Sequence, residues 1–162
     1  MDLTRKYDNL LVVQTFSKSR AMAGMRIGFG VGNPELIRAL NNVKYSYNSY
    51  TMSLAAQRLG AAALKDQAYF EETRKKIIST REKAKKRLRE LGFSFPDSMT
   101  NFIFAEHCRA EAGPMFRAMK EAGIYVRYFD KPGLDNRLRI TIGAEEEMEQ
   151  LYRFLESYLA DG

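Results

Sequence analysis

The segment Thr15-Phe16-Ser17-Lys18-Ser19, followed by Ala23-Gly24-Met25-Arg26-Ile27-Gly28-Phe29, carries more information than any other part of this sequence. Residues 10–16 form a short apolar run rich in β-branched side chains, which predicts a buried strand. Residues 25–31, heavy in glycine, predict a second strand, and the polar, small-residue stretch 17–24 joins the two. Lys18 then stands at the end of a buried strand, where burying an ammonium is costly. Either Lys18 is an exposed loop lysine, or its surroundings hold it near neutral so that it can condense with an aldehyde. Arg26, eight residues further on, offers a guanidinium fork that matches a phosphate dianion. The Ser17 hydroxyl can donate to the same phosphate, and Gly24 and Gly28 allow close approach of the backbone.

Downstream, Asn33-Pro34-Glu35 is a helix start: a capping side chain, a proline at the first position and an acid in the first turn. That helix is expected to reach about residue 43. An irregular aromatic stretch follows over 45–50, whose Tyr45, Tyr47 and Tyr50 are either a pocket wall or packing anchors, the anchor reading being favoured for Tyr45 and Tyr50; Met22 and Met25 are read as core. Helices are expected over about 51–64 and 67–91, the second ended by Gly92. Beyond it the pattern predicts strands at 101–105, 124–129 and 138–142, with a helix from Gly113-Pro114 to Gly123. A last helix carries Glu145, Glu146 and Glu147 at its positive end and Met148, Leu151, Leu155 and Tyr158 as its apolar stripe. The second half is therefore a small α+β unit of order β-α-β-β-α. Strand alternation places Leu138, Ile140 and Ile142 on one face and Arg139 and Thr141 on the other, and turns Arg127 away from Ile124 and Val126. Two arginines on adjacent strands make either an anion-binding pair or two surface ion pairs. The first half offers only two strands, which cannot cover their own edges, so the sequence is expected to begin inside a larger domain.

Composition narrows the classes. Hydrophobic residues at 45% and charged residues at 28% are those of a soluble globular protein. No apolar run is long enough to span a bilayer, and the polar first eight residues do not read as a signal peptide. The single cysteine, Cys108, excludes an internal disulfide and suits a reducing cytosol. Its neighbour His107 points to the opposite face of a strand, so the two do not read as a nucleophile and its base. No residue is assigned to a metal. Much of the net charge of +6 lies in residues 74–89. There Phe70, Ile77, Ala84 and Leu91 recur every seven residues with Leu88 beside them, which predicts one buried stripe and a solvated charged face. No aromatic residues interleave with those charges, which argues against a nucleic-acid partner.

The T-F-S-K-S…A-G-M-R-I-G-F string resembles the cofactor-lysine motif of fold-type I aminotransferases, and most closely that of the histidinol-phosphate aminotransferase family. Asn48 in Ser46-Tyr47-Asn48, the Asn101-Phe102 strand, Gly123-Ile124-Tyr125-Val126-Arg127 and Leu138-Arg139-Ile140-Thr141-Ile142-Gly143 are similar to further stretches of that family. The resemblance covers essentially the whole chain and implies pyridoxal 5'-phosphate (PLP) as cofactor. It implies Lys18 as the Schiff-base lysine and proton carrier, and Ser17 and Arg26 as holders of the cofactor phosphate. Arg139 is implied as partner of the substrate α-carboxylate and Arg127 as a contact for the substrate's phosphate side. The implied fold is α/β: residues 1–50 as the end of a PLP-binding large domain, 51–91 as connecting helices, and 92–162 as a small C-terminal α+β domain. The implied activity is transfer of an amino group between histidinol phosphate and 2-oxoglutarate in histidine biosynthesis, by a cytoplasmic homodimer acting on small molecules. An aromatic aminotransferase, a threonine-phosphate decarboxylase and a catalytically silent structural part are the alternatives. The family's remaining cofactor contacts fall upstream of these residues, so this stretch alone is expected to be inactive.

Overall fold

The computed structural model describes residues 2–160, and expectations touching Met1, Asp161 or Gly162 fall outside the described residues. The chain divides into two compact units, Met1–Glu72 and Thr73–Gly162.

In the first unit, α1 (Leu3–Lys6) precedes β1 (Leu11–Thr15), α2 (Phe16–Ser19), a 3-10 turn (Ala23–Met25) and β2 (Gly28–Gly32). The two strands pair antiparallel, Val13 opposite Gly30 and Thr15 opposite Gly28. Three expectations are corrected here. The first strand is not buried: Val13, Gln14 and Thr15 are exposed, because nothing among the described residues covers that part of the two-stranded ribbon. The strand expected to reach residue 16 stops at Thr15, where a turn of helix begins at Phe16, and the second strand begins at Gly28 because Arg26 takes a left-handed conformation. The small apolar cluster of this unit is Phe16, Ile27 and Ala56, with Met22, Met25 and Met52 packed against it.

Local capping sets the helices that follow. The Asn33 side chain accepts the Glu35 N–H at 2.9 Å and Pro34 opens α3 (Pro34–Tyr47). The Ser53 hydroxyl accepts the Ala56 N–H at 3.2 Å and starts α4 (Leu54–Lys65). α3 runs through Tyr45–Tyr47, which the sequence predicted as irregular, and ends at Asn48. Tyr45 and Tyr50 are not packing anchors here. Tyr50 is 93% exposed and Tyr47 92% exposed.

α5 (Gln67–Glu90) spans the boundary between the units. The second unit continues with β3 (Phe93–Ser94), β4 (Phe102–His107), α6 (Ala112–Glu121), β5 (Arg127–Tyr128), β6 (Leu138–Thr141) and α7 (Glu145–Ala160). Its sheet has the order β3-β4-β6-β5, antiparallel at every pair. The order differs from expectation by the added edge strand β3, and β5 is shorter than the predicted strand. One face of the sheet carries Ile103, Ala105, Leu138 and Ile140 into a core shared with Ala84 and Leu88 of α5, Met115 and Met119 of α6, and Met148, Leu151 and Leu155 of α7. Gly92 ends α5 at φ +86°, and a Cβ there would lie 2.9 Å from His107 Nε2, so both backbone and space require glycine.

Two polar devices hold this unit. His107 is buried, and its Nδ1 accepts the N–H groups of Ala110 (2.8 Å) and Arg109 (3.3 Å). Nε2 therefore carries the proton and donates to the Leu91 carbonyl at 3.0 Å, tying the ends of β4 and α5 to the entry of α6. The second device corrects the solvated-face expectation for α5: Arg81 and Lys85 are only 6% and 4% exposed. Lys85 pairs with Asp97 (2.7 Å) and Glu82 (3.0 Å), and Arg81 donates to the Thr100 carbonyl (3.2 Å), so α5 grips the 95–100 loop that leads into β4.

Replacing His107 with alanine should destabilise the chain by about 2–4 kcal/mol, since it opens a cavity and orphans two N–H groups. Urea unfolding measures this, and an unchanged midpoint would show that the ring carries no load. The loop grip sets a second expectation. Hydrogen bonding to Lys85 holds the Asp97 carboxyl below its usual range, and hydrogen bonding to Lys85 and then Arg81 does the same for Glu82. The Lys85 ammonium is raised, chiefly by its hydrogen bond to Asp97. Depressed acids stabilise above their unfolded values and lose that contribution as pH falls through the folded ones; a raised amine stabilises below its unfolded value and loses it as pH rises through the folded one. The grip should therefore be complete between roughly pH 5 and 10 and weaken on both sides. Comparing unfolding midpoints of the parent and Lys85→Met across pH checks this: their difference should be widest within that window.

Candidate active site

The candidate residues fall into two sets. Ser17, Lys18 and Arg26 lie in the first unit, on and just after α2. Lys18 is exposed on this turn, not enclosed at a strand end, because the helical turn begins at Phe16 and its buried side is taken by Phe16 itself. The Ser17 hydroxyl has no hydrogen-bond partner among the described residues. The Arg26 guanidinium donates to the Ala23 carbonyl alone (3.1 Å), leaving most of its five N–H groups unused. Arg26 and Ala21 are the two non-glycine residues with positive φ among those described, at 55° and 53°. Left-handed backbone at residues bearing a Cβ costs about 1–2 kcal/mol each, and both lie within eight residues of Lys18. Asn48, at the end of α3, accepts the Tyr50 N–H through its side chain at 3.2 Å.

The second set is Arg127 and Arg139. They stand directly opposite each other across the β5–β6 ladder. Opposed residues have Cβ atoms about 4.5–5.5 Å apart, and like charges so placed destabilise the pair. Neither guanidinium has a carboxylate partner among the described residues. Each lies over an aromatic ring instead: Arg127 over Phe129 at 5.1 Å, Arg139 over Phe102 at 5.3 Å and Phe129 at 5.7 Å. The neighbouring Arg137 is engaged with Glu106 at 2.9 Å and lies over Phe104. The face opposite the core is thus a cationic pair set among three phenylalanines, suited to an anion attached to a flat or apolar body. Sequence reasoning identified the arginines but assigned no role to Phe102, Phe104, Phe129, Arg137 or Glu106. The signal for the first two was present: Phe102 and Phe104 alternate with Ile103 and Ala105, so they must share the face of Arg139.

The family model described as aminotransferase class I and II matches residues 2–157. A histidinol-phosphate aminotransferase of Brachyspira hyodysenteriae is 52% identical over 147 residues, covering 91% of this chain and 42% of the relative. One from Lactococcus lactis is 48% identical, covering 98% of this chain and 44% of the relative. The chain thus spans less than half the length of these curated relatives. Among solved structures, the histidinol-phosphate aminotransferase of Sinorhizobium meliloti in complex with pyridoxal-5'-phosphate superposes with a TM-score of 0.79 at 28% identity, over 95% of this chain and 42% of that one.

An anion seated between Arg127 and Arg139 relieves their repulsion, so inorganic phosphate should raise the unfolding midpoint. The gain is about 1.4 kcal/mol at ten times the dissociation constant. Arg127→Met or Arg139→Met should remove most of that gain. A midpoint indifferent to phosphate, with chloride matched for ionic strength, would show that the pair takes no anion.

Proposed function

The chain belongs to the aminotransferase class I and II family, and on that premise we propose that the protein carrying it is a PLP-dependent histidinol-phosphate:2-oxoglutarate aminotransferase of histidine biosynthesis. The observation that carries the cofactor assignment is the donor set on one short stretch: an exposed lysine amine, an uncommitted serine hydroxyl and a guanidinium with unused donors. An aldehyde and a phosphate on one small molecule fit that set. Relatives of the same name, 45–52% identical, support the choice of substrate.

In this reading the Lys18 amine would hold the cofactor through its aldehyde group. The same amine would serve as the base that takes the proton from the substrate Cα and gives it back. Ser17 donates its hydroxyl to the cofactor phosphate, and Arg26 clamps the same phosphate through its fork. Bound PLP supplies an electron sink for the bond that breaks at Cα. Arg139 takes the substrate α-carboxylate where the substrate has one, and Arg127 takes its phosphate. Phe102 and Phe129, already stacked against these guanidinium groups, hold the two forks in place and offer an apolar edge to the substrate's ring.

The proposal extends to organisation. Residues 1–50 belong to the PLP-binding large domain, 51–91 connect, and 92–162 form the small domain. The protein works as a cytoplasmic homodimer. The exposed side chains of Val43, Tyr47, Tyr50 and Leu54 support the dimer, and the exposed lone thiol of Cys108 suits a reducing compartment.

In the protein carrying this sequence, Lys18→Ala should lower turnover by on the order of 10²–10⁴-fold, while Arg26→Ala should mainly weaken cofactor retention. Borohydride treatment with PLP, followed by peptide mapping, locates the covalent link. Label on other lysines and none on Lys18 would falsify the assignment.

A further inference from the structure

The Lys18 turn is fastened to the rest of its unit by a residue to which neither the family motif nor the proposed chemistry assigns a role. Arg20 follows α2 directly, and its guanidinium enters the corner between α4 and α5. There it donates to the Ala63 carbonyl at 2.5 Å and to the Gln67 side-chain oxygen at 3.2 Å, and it lies over the Phe70 ring at 3.9 Å. That corner is matched to a guanidinium. Asp66 alone separates the two helices, and Ala63 is among the last four residues of α4, whose carbonyls have no partner within the helix. Gln67 and Phe70 are in the first turn of α5. One planar cation thus meets an orphan carbonyl, an amide oxygen and an aromatic face, which an ammonium on a flexible stem cannot match.

Residues four apart on a helical turn share a face, and the residue midway between them faces away. Phe16 and Arg20 are so related, and both are anchored: Phe16 in the cluster with Ile27 and Ala56, Arg20 in the helix corner. Lys18, midway, is exposed. The turn also holds a conformation it would otherwise leave. Ala21 has φ +53°, and the Phe16 carbonyl accepts from both Arg20 N (3.2 Å) and Met22 N (3.1 Å). A left-handed alanine persists where its surroundings over-determine it, and the Arg20 side chain is the adjacent restraint.

We propose that Arg20 is a positioning residue for Lys18, locking the 16–22 turn onto the α4–α5 corner so that the Lys18 amine is held in one direction. This rests on the reading of Lys18 as the cofactor-binding lysine. Arg20 touches neither substrate nor cofactor in this role; it acts through the turn.

The test compares the parent protein with Arg20→Gln and Arg20→Lys. In the absence of cofactor, amide hydrogen exchange at Arg20 and Met22 should accelerate at least tenfold in Arg20→Gln, while exchange along the middle of α4 stays as in the parent. With PLP and borohydride, label on Lys18 relative to label on the exposed Lys86 should fall about tenfold, and Arg20→Lys should recover little of it. A loss of folding alone would lower protection throughout α4 and leave the Lys18-to-Lys86 ratio near that of the denatured chain. If Arg20→Gln does not fold, Arg20→Lys and Phe70→Leu carry the test, each with an expected severalfold loss in the same ratio. A ratio within twofold of the parent in a folded variant overturns the role of Arg20 and leaves the assignment of Lys18 standing. Label absent from Lys18 in the parent overturns that assignment and this inference with it.

Discussion

The second unit is organised by the antiparallel pairing of β4 with β6, which brings Ile103 opposite Ile140 and Phe104 opposite Arg139. Because side chains alternate along each strand, this single register sends Ile103, Ala105, Leu138 and Ile140 into the core and Phe102, Phe104, Arg139 and Thr141 to the other face. A slip of one residue would bury Arg139 and expose Ile140. The apolar side is covered by α5, α6 and α7, so the register is fixed by burial. The cationic face is then determined as well: β5 adds Arg127 opposite Arg139, and the phenylalanines of β4 lie alongside. The core and the candidate anion site are two sides of one constraint.

The first unit is held differently. Its buried apolar cluster is small, and much of its aliphatic and aromatic surface is exposed among the described residues. What gives the Lys18 turn a defined shape is a set of specific contacts: the Phe16 carbonyl taking two N–H groups, Phe16 packed with Ile27, and the Arg20 guanidinium in the helix corner. Such a turn has little apolar burial to oppose the strain at Ala21 and Arg26, so each polar contact matters more there than it would in the second unit. The unused donors of Arg26 and the open amine of Lys18 follow from the same sparse surroundings.

Polar groups tie the second unit together where strands and helices meet. His107 closes the junction of α5, β4 and α6 with both ring nitrogens committed, and Lys85 with Arg81 closes the junction of α5 with the loop before β4. A charged helix face is ordinarily solvated, and the pattern of α5 gave no sign that two of its cations would be covered. Burial came from the loop folding over them, with Asp97, Glu82 and the Thr100 carbonyl supplying the partners that make it tolerable.

The sequence by itself determined the features that depend on neighbours along the chain. The cap at Asn33, the glycine stop at Gly92, the alternation of β6 and the stripes of α5 and α7 were legible because each rests on a local period or a local hydrogen bond. The lysine–arginine motif and the family to which it points were legible for the same reason. Only the tertiary structure decided that Arg127 faces Arg139 directly, that Phe129 lies beside both, that Arg81 and Lys85 are buried, and that Arg20 spans to Phe70. Those pairings join residues distant in sequence. They are set by strand register and by the fit of one side chain to a corner made of others, which no local period encodes.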